Sequence, residues 1–94
     1  MSYHFKWYPD KAANNLQKHE ITFQEATTVF GDPLALQMSD PDHSLCEERF
    51  IILGMSHRMR LLLVAYAERG KMTRLISARQ ATRRERRQYE EGKN

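Results

Sequence analysis

Polar and apolar positions alternate through His4-Phe5-Lys6-Trp7, which predicts a short first strand. Pro9 suits the opening turn of a helix, where its missing amide hydrogen costs nothing. Over residues 10–19, Ala12, Ala13 and Leu16 recur on one face, with Asn14, Asn15, Gln17 and Lys18 expected outside. Thr22-Phe23-Gln24-Glu25 has the form of a capping box and starts a second helix, whose buried face is Phe23, Ala26, Val29 and Phe30 and which ends at Gly31-Asp32-Pro33. Residues 34–38 form a candidate strand, and 39–44 a polar, turn-rich loop. Three β-rich runs follow at 49–55, 60–68 and 72–79, joined by connections short enough to make them successive antiparallel strands. The run 61–67 is almost wholly apolar, so it belongs at the centre of the sheet with both faces covered. A second capping box, Thr82-Arg83-Arg84-Glu85, starts the last helix. Helices and strands segregated in this way predict an α+β domain with an antiparallel sheet of about four strands, two N-terminal helices and a C-terminal helix.

Length adds that residues 1–94 make one domain, with two packed layers as its expected limit. Lone Cys46 offers no internal disulfide and no Cys-based metal spacing, so a reducing cytoplasm is the expected compartment. The longest apolar run, residues 61–67, is far too short to span a bilayer, and no membrane partner is expected.

Charge changes the picture more. The chain has 15 basic and 12 acidic residues, and from Arg79 onward there are six basic and three acidic, so the whole excess of +3 lies in the tail. Within the last helix, Arg83 and Arg84 stand near the positive end of the dipole and Glu90 and Glu91 near the negative end. Each arrangement is disfavoured by roughly 0.3–1 kcal/mol if exposed, so folding alone does not explain them. Arginines at a strand end and a helix start suit phosphate recognition, because the planar guanidinium donates two parallel hydrogen bonds and stays charged. Arg79 leads that set, and an ion pair with Glu85 is its structural alternative. Strict alternation places Arg79 with Ser77 and Leu75 on one face of its strand, and Arg74 with Ile76 on the other.

Cleavage of RNA by its own 2′-hydroxyl needs a base, cations for the pentavalent phosphorane and an acid for the leaving oxygen. Tyr66, Glu85, Glu48 and the scattered histidines His4, His19, His43 and His57 are the proton-transfer groups available. Trp7, Tyr8, Tyr66 and Tyr89 are the aromatics able to stack on unpaired bases, with core or rim packing as their ordinary role. No HExxH, CxxC, Walker or dinucleotide-binding pattern is present, and neither metal nor cofactor is expected.

The combination of Phe5-Lys6-Trp7 with Pro9, Lys11-Ala12, Asn15, Lys18-His19, Phe23-Gln24-Glu25-Ala26, Val29-Phe30 and Asp32-Pro33 resembles the N-terminal half of BrnT toxins. Glu48-Arg49-Phe50, Gly54, Ser56, the 61–64 strand, Glu68-Arg69-Gly70, the 74–79 stretch, Ala81-Thr82, Glu85 and Tyr89 resemble the second half. The resemblance implies a RelE-like fold and a metal-independent endoribonuclease that halts translation. It also implies neutralisation in a toxin–antitoxin hetero-oligomer by a BrnA-type ribbon-helix-helix antitoxin, through which operator DNA would be reached. On that pattern Arg49 and Arg79 are phosphate stabilisers and Tyr66 and Glu85 proton-transfer groups. Arg60, Arg74, Arg83, Arg84 and Arg87 are the expected RNA-binding residues, the arginine surface of the last helix being open to RNA or to the antitoxin. Tyr8 and Glu20 depart from it, standing where the family usually has aspartate and glycine. A non-catalytic RNA-binding or protein-interaction module with a basic C-terminal helix is the alternative reading.

Overall fold

The computed structural model describes residues 4–40 and 48–92. In chain order it has β1 (His4–Lys6), α1 (Pro9–His19), α2 (Phe23–Thr28) continued by a single 3-10 turn (Val29–Gly31), β2 (Leu36–Ser39), β3 (Glu48–Met55), β4 (Leu61–Arg69), β5 (Met72–Gln80) and α3 (Arg83–Gly92). The expected loop at 39–44 falls mostly outside the described residues, as do His43 and Cys46.

The strands form one sheet in the order β1-β5-β4-β3-β2, with β4 at its centre as its apolar run requires. The sheet has five strands rather than about four and is mixed rather than antiparallel. β1 runs parallel to β5, pairing His4, Phe5 and Lys6 with Met72, Thr73 and Arg74, while the other three pairings are antiparallel. Local pattern identifies β1 as a strand, but its partner lies 68 residues away and leaves no local signal.

Helices cover both faces, so the expected two layers become three over part of the sheet. On the first face, Ile52, Leu62, Val64, Tyr66, Leu75 and Ala78 pack against Ile21, Phe23, Ala26 and Val29, with Phe5, Trp7, Ala12, Phe30 and Phe50 at the margin. Gly54 permits the close approach of the segment leading into β2: a Cβ there would lie 2.9 Å from Ala35 Cβ and 2.9 Å from Val29 Cγ1. On the second face, Tyr89 of α3 packs over one end of the sheet against Leu53 and Leu61, with Leu63 and Ala81, which precedes α3, beside them. Asp32 ties that helix down, its Oδ2 accepting from the Tyr89 hydroxyl at 2.6 Å and from the Met55 amide at 2.8 Å.

α1 does not pack as its apolar spacing predicts. Leu16 is 48 % exposed, and the buried residue is Asn15. The Asn15 side-chain amide donates to the Ala78 carbonyl at 2.9 Å and to the Ile21 carbonyl at 3.0 Å, and its oxygen accepts from the Ala78 amide at 2.9 Å. One side chain thus pairs with the edge of β5 beyond the end of β1, where backbone groups would otherwise lack partners. α1 ends on Glu20 in the left-handed conformation (φ 59°), and Tyr8 at its start makes no side-chain cap.

Of the two capping boxes, the second forms completely. Thr82 Oγ1 accepts from the Glu85 amide at 3.1 Å, and Glu85 Oε1 accepts from the Thr82 amide at 2.9 Å. In the first, Thr22 caps Glu25 at 3.0 Å, but the Glu25 carboxylate turns inward to Ser56 and Arg60.

Candidate functional site

The face of the sheet that carries α3 also carries the arginines, and a β-bulge puts them there. Between β4 and β5 the register runs Ala67↔Arg74 and Tyr66↔Leu75, then Ala65↔Ser77 and Leu63↔Arg79, so that Ile76 is one extra residue in β5. A bulge shifts the parity of everything beyond it. Accordingly the buried residues of β5 are Thr73, Leu75 and Ala78, and Arg74, Ser77 and Arg79 share the opposite side. Strict alternation separated Arg74 from Arg79; the bulge unites them.

The registers extend this face across the sheet. Lys6 pairs with Arg74, Arg74 with Ala67, and Ala67 with Arg49, giving a transverse row of three cations interrupted by one alanine. Strands about 4.8 Å apart place the Arg74 and Arg49 Cα atoms roughly 10 Å from each other, and a rise of about 3.3 Å per residue leaves Arg49 and Arg79 roughly 16 Å apart. The arrangement is a cationic track for several phosphates rather than a clamp on one.

At the far end of the track Arg79 donates from Nη1 to Glu85 Oε1 at 2.9 Å and from Nη2 to Oε2 at 2.9 Å. The side chains are 37 % and 21 % exposed, so the pair is open to solvent. The bond from Arg79 holds the Glu85 carboxyl below the usual carboxylate range, with the Thr82 amide adding to it against partial burial, and Glu85 raises Arg79 in return. The ion pair named as the structural alternative therefore exists, on the same face as Arg74 and Arg49.

Other expected site residues lie elsewhere. Tyr66 is on the helix-covered first face, 1 % exposed, packed edge-on against Phe30 and stacked on Phe50. Its hydroxyl accepts from Gln37 Nε2 at 2.9 Å and borders a hollow with Glu68, across the sheet from the arginine row. Tyr66 and the arginines therefore do not form one centre, because parity within β4 sends Tyr66 and Ala67 to opposite sides. Arg60 also leaves the expected RNA surface. Its Nε donates to Glu25 Oε2 at 2.9 Å and its Nη2 donates to Oε1, while Ser56 Oγ donates to Oε2 at 2.7 Å. Glu25 is 2 % exposed, and its carboxyl is held low chiefly by the Arg60 bond. Arg60 is thus the counter-ion of a buried carboxylate. Arg83, Arg84 and Arg87 are exposed on α3. His57 lies in the β3–β4 connection, its ring Nδ1 3.3 Å from Thr28 Oγ1.

Two cations of the open face were missed in the sequence, Lys6 and Arg69. They join Tyr8, Ala67, Met72 and Arg74 around a hollow of about 120 Å³. Of the aromatics singled out for stacking, Trp7 packs edge-on against Phe23, Tyr66 and Tyr89 are buried, and Tyr8 is 55 % exposed. Among the described residues no helix is long and apolar enough to cross a membrane.

Comparison with known proteins bears on the fold and the family. The crystal structure of the Brucella abortus ribonuclease toxin BrnT superposes with a TM-score of 0.64 at 18 % sequence identity, covering 87 % of this chain and all of that one, which shows a shared fold. The curated proteins yielded no match. The family model described as "Ribonuclease toxin, BrnT, of type II toxin-antitoxin system" matches residues 7–85, from the end of β1 through the Glu85 that grips Arg79. The chain therefore belongs to the BrnT family of ribonuclease toxins of type II toxin–antitoxin systems, a class that implies an antitoxin partner.

Proposed function

We propose that this chain is an endoribonuclease that cuts RNA without a metal, by attack of a 2′-hydroxyl on the adjacent phosphate, and so halts translation in the cytoplasm. The observation that carries this reading is the bulge in β5, which lines up Arg74, Ser77 and Arg79 with Arg49 on one face. A single-stranded phosphodiester laid along that face meets guanidinium groups, which neutralise the charge that builds on the phosphorane oxygens. In the reaction the 2′-oxygen bonds to phosphorus as its proton passes to a base, and the 5′-oxygen departs with a proton, leaving a cyclic phosphate. Glu85 is the ionised carboxylate next to Arg79 and is our candidate for proton transfer, with Arg79 orienting it and stabilising the phosphorane. Arg49 and Arg74 hold flanking phosphates, and the exposed Arg83, Arg84 and Arg87 extend the basic surface. Tyr66, placed across the sheet, supports the core.

The partner in this reading is a BrnA-type ribbon-helix-helix antitoxin that covers the cationic face and carries the complex to operator DNA. The test is incubation of the purified chain with single-stranded RNA in a chelator. Cleavage is expected, reduced about a hundredfold in Arg79→Ala, the scale of losing one donor to a developing oxyanion. RNA bound but left intact by a folded wild-type chain, with or without added divalent metal, would instead make it a non-catalytic binding module.

A further inference from the structure

The hollow beside Arg74 has a composition that a phosphate track does not need. Ala67, 2 % exposed, forms its floor; Tyr8 and Met72, 55 % and 39 % exposed, form apolar walls; and Lys6, Arg69 and Arg74 stand around it. The Arg74 guanidinium carbon lies 5.4 Å from the centre of the Tyr8 ring, a cation–π contact that holds the ring at the mouth of the hollow. Tyr8 does not earn this place by capping, since it precedes α1 without a side-chain cap bond, nor by packing, since more than half of it faces solvent.

An aromatic face, a thioether and three cations together match one ligand chemistry, an unpaired nucleotide. The base stacks on the ring, and the phosphates on either side meet the cations. Base-paired RNA does not fit, because in an A-form helix the base faces are stacked within the duplex. An acidic peptide would use the cations but leave the ring and thioether without a purpose. We infer that the hollow of Lys6, Tyr8, Arg69, Met72 and Arg74 is a subsite for an unpaired nucleotide of the bound strand, at the other end of the track from the Arg79–Glu85 pair, and that it favours single-stranded over duplex RNA. The inference rests on the ribonuclease reading above and adds a base-stacking subsite and the residue that forms it.

The experiment uses the full chain and a labelled oligoribonucleotide made non-cleavable by 2′-O-methylation, as a single strand and as a duplex with its complement. Fluorescence anisotropy is expected to show the single strand bound at least tenfold more tightly than the duplex. Tyr8→Ala should lose about tenfold in affinity for the single strand, the scale of one stacked base. Tyr8→Phe, which keeps the ring, should stay within about twofold of wild type, and because Tyr8 is exposed both variants should melt near the wild-type temperature. With cleavable RNA, Tyr8→Ala should raise KM with kcat little changed. Equal affinity for strand and duplex, or unchanged single-strand binding and KM in Tyr8→Ala, would overturn the subsite while cleavage of RNA left the ribonuclease reading standing. A wild-type chain that neither binds nor cuts RNA would overturn both. Loss of antitoxin binding in Tyr8→Ala with RNA affinity intact would assign the hollow to the protein partner instead.

Discussion

Arg79 at the end of β5 and Glu85 in the first turn of α3 meet through two parallel hydrogen bonds of 2.9 Å, and the same carboxylate closes the capping box on the Thr82 amide. One glutamate therefore starts the helix, fixes its angle to the sheet and sets the orientation of a guanidinium on the cationic face. The pair is partly exposed, so its contribution to stability is modest and its value lies in position.

A double-mutant cycle separates those roles. Arg79→Ala, Glu85→Gln and the double variant should give a coupling energy of about 0.5–1 kcal/mol in urea denaturation. RNA cleavage should fall about a hundredfold in either single variant, with little further loss in the double, because the two side chains act as a unit. Loss of activity that merely follows the unfolded fraction would leave the pair a structural staple.

Arg49 lies near the start of β3 and Arg60 in the β3–β4 connection immediately before β4, and different outcomes are expected from their removal. Arg60→Ala strands Glu25, 2 % exposed, and should cost about 3 kcal/mol in thermal or chemical denaturation. Arg49→Ala should weaken RNA binding, with the slope of log affinity against log salt reduced by about one.

Asn15→Ala should be the most damaging change in α1, although the residue lies among polar positions in the sequence. It strips the partners from the buried Ala78 amide and carbonyl and should cost about 3 kcal/mol, lowering Tm by roughly 15 °C. Asn15→Asp should rescue little, because a carboxylate cannot donate to the Ala78 carbonyl.

Glu20 adopts φ 59° at the C-terminal end of α1, a conformation that strains a residue with a Cβ. Glu20→Gly should stabilise the chain by about 1 kcal/mol and raise Tm by about 5 °C. An unchanged or lowered Tm would show that the Glu20 side chain compensates elsewhere.

Stability should fall at both ends of the pH scale. Glu25 and Glu85 have carboxyl groups held low in the folded chain, chiefly by Arg60 and Arg79. Their stabilisation is complete above the ordinary carboxylate pKa of 4.5 and is lost as pH falls through the lower folded values. Tyr89 is pushed up to about 12, first by burial and then by its bond to Asp32. Its neutral form favours the fold, so that contribution is complete below pH 10 and lost between pH 10 and about 12. Melting curves across pH should show both limbs, and Tyr89→Phe should flatten the alkaline one.

The elements and most of their boundaries are legible in the sequence because each rests on local chemistry. Alternation marks the strands, the apolar run of β4 marks the centre of the sheet, and Thr22 and Thr82 mark two helix starts. The family resemblance was legible for the same reason, in short motifs spread along the chain. Tertiary structure decided which of these pieces meet. The parallel pairing of β1 with β5 brings Lys6 beside Arg74, and no property of either residue announces it. The bulge at Ile76 reverses a parity that alternation alone cannot foresee, joining Arg74 to Arg79 while Tyr66 stays on the opposite face. Glu25 leaves its capping box because buried Ser56 and the guanidinium of Arg60 offer it stronger bonds, and Asn15 turns inward because a sheet edge needs a donor and an acceptor. Local propensity acts over a turn or a strand. Which face a cation lands on depends on register, and register is set by the packing of the whole sheet.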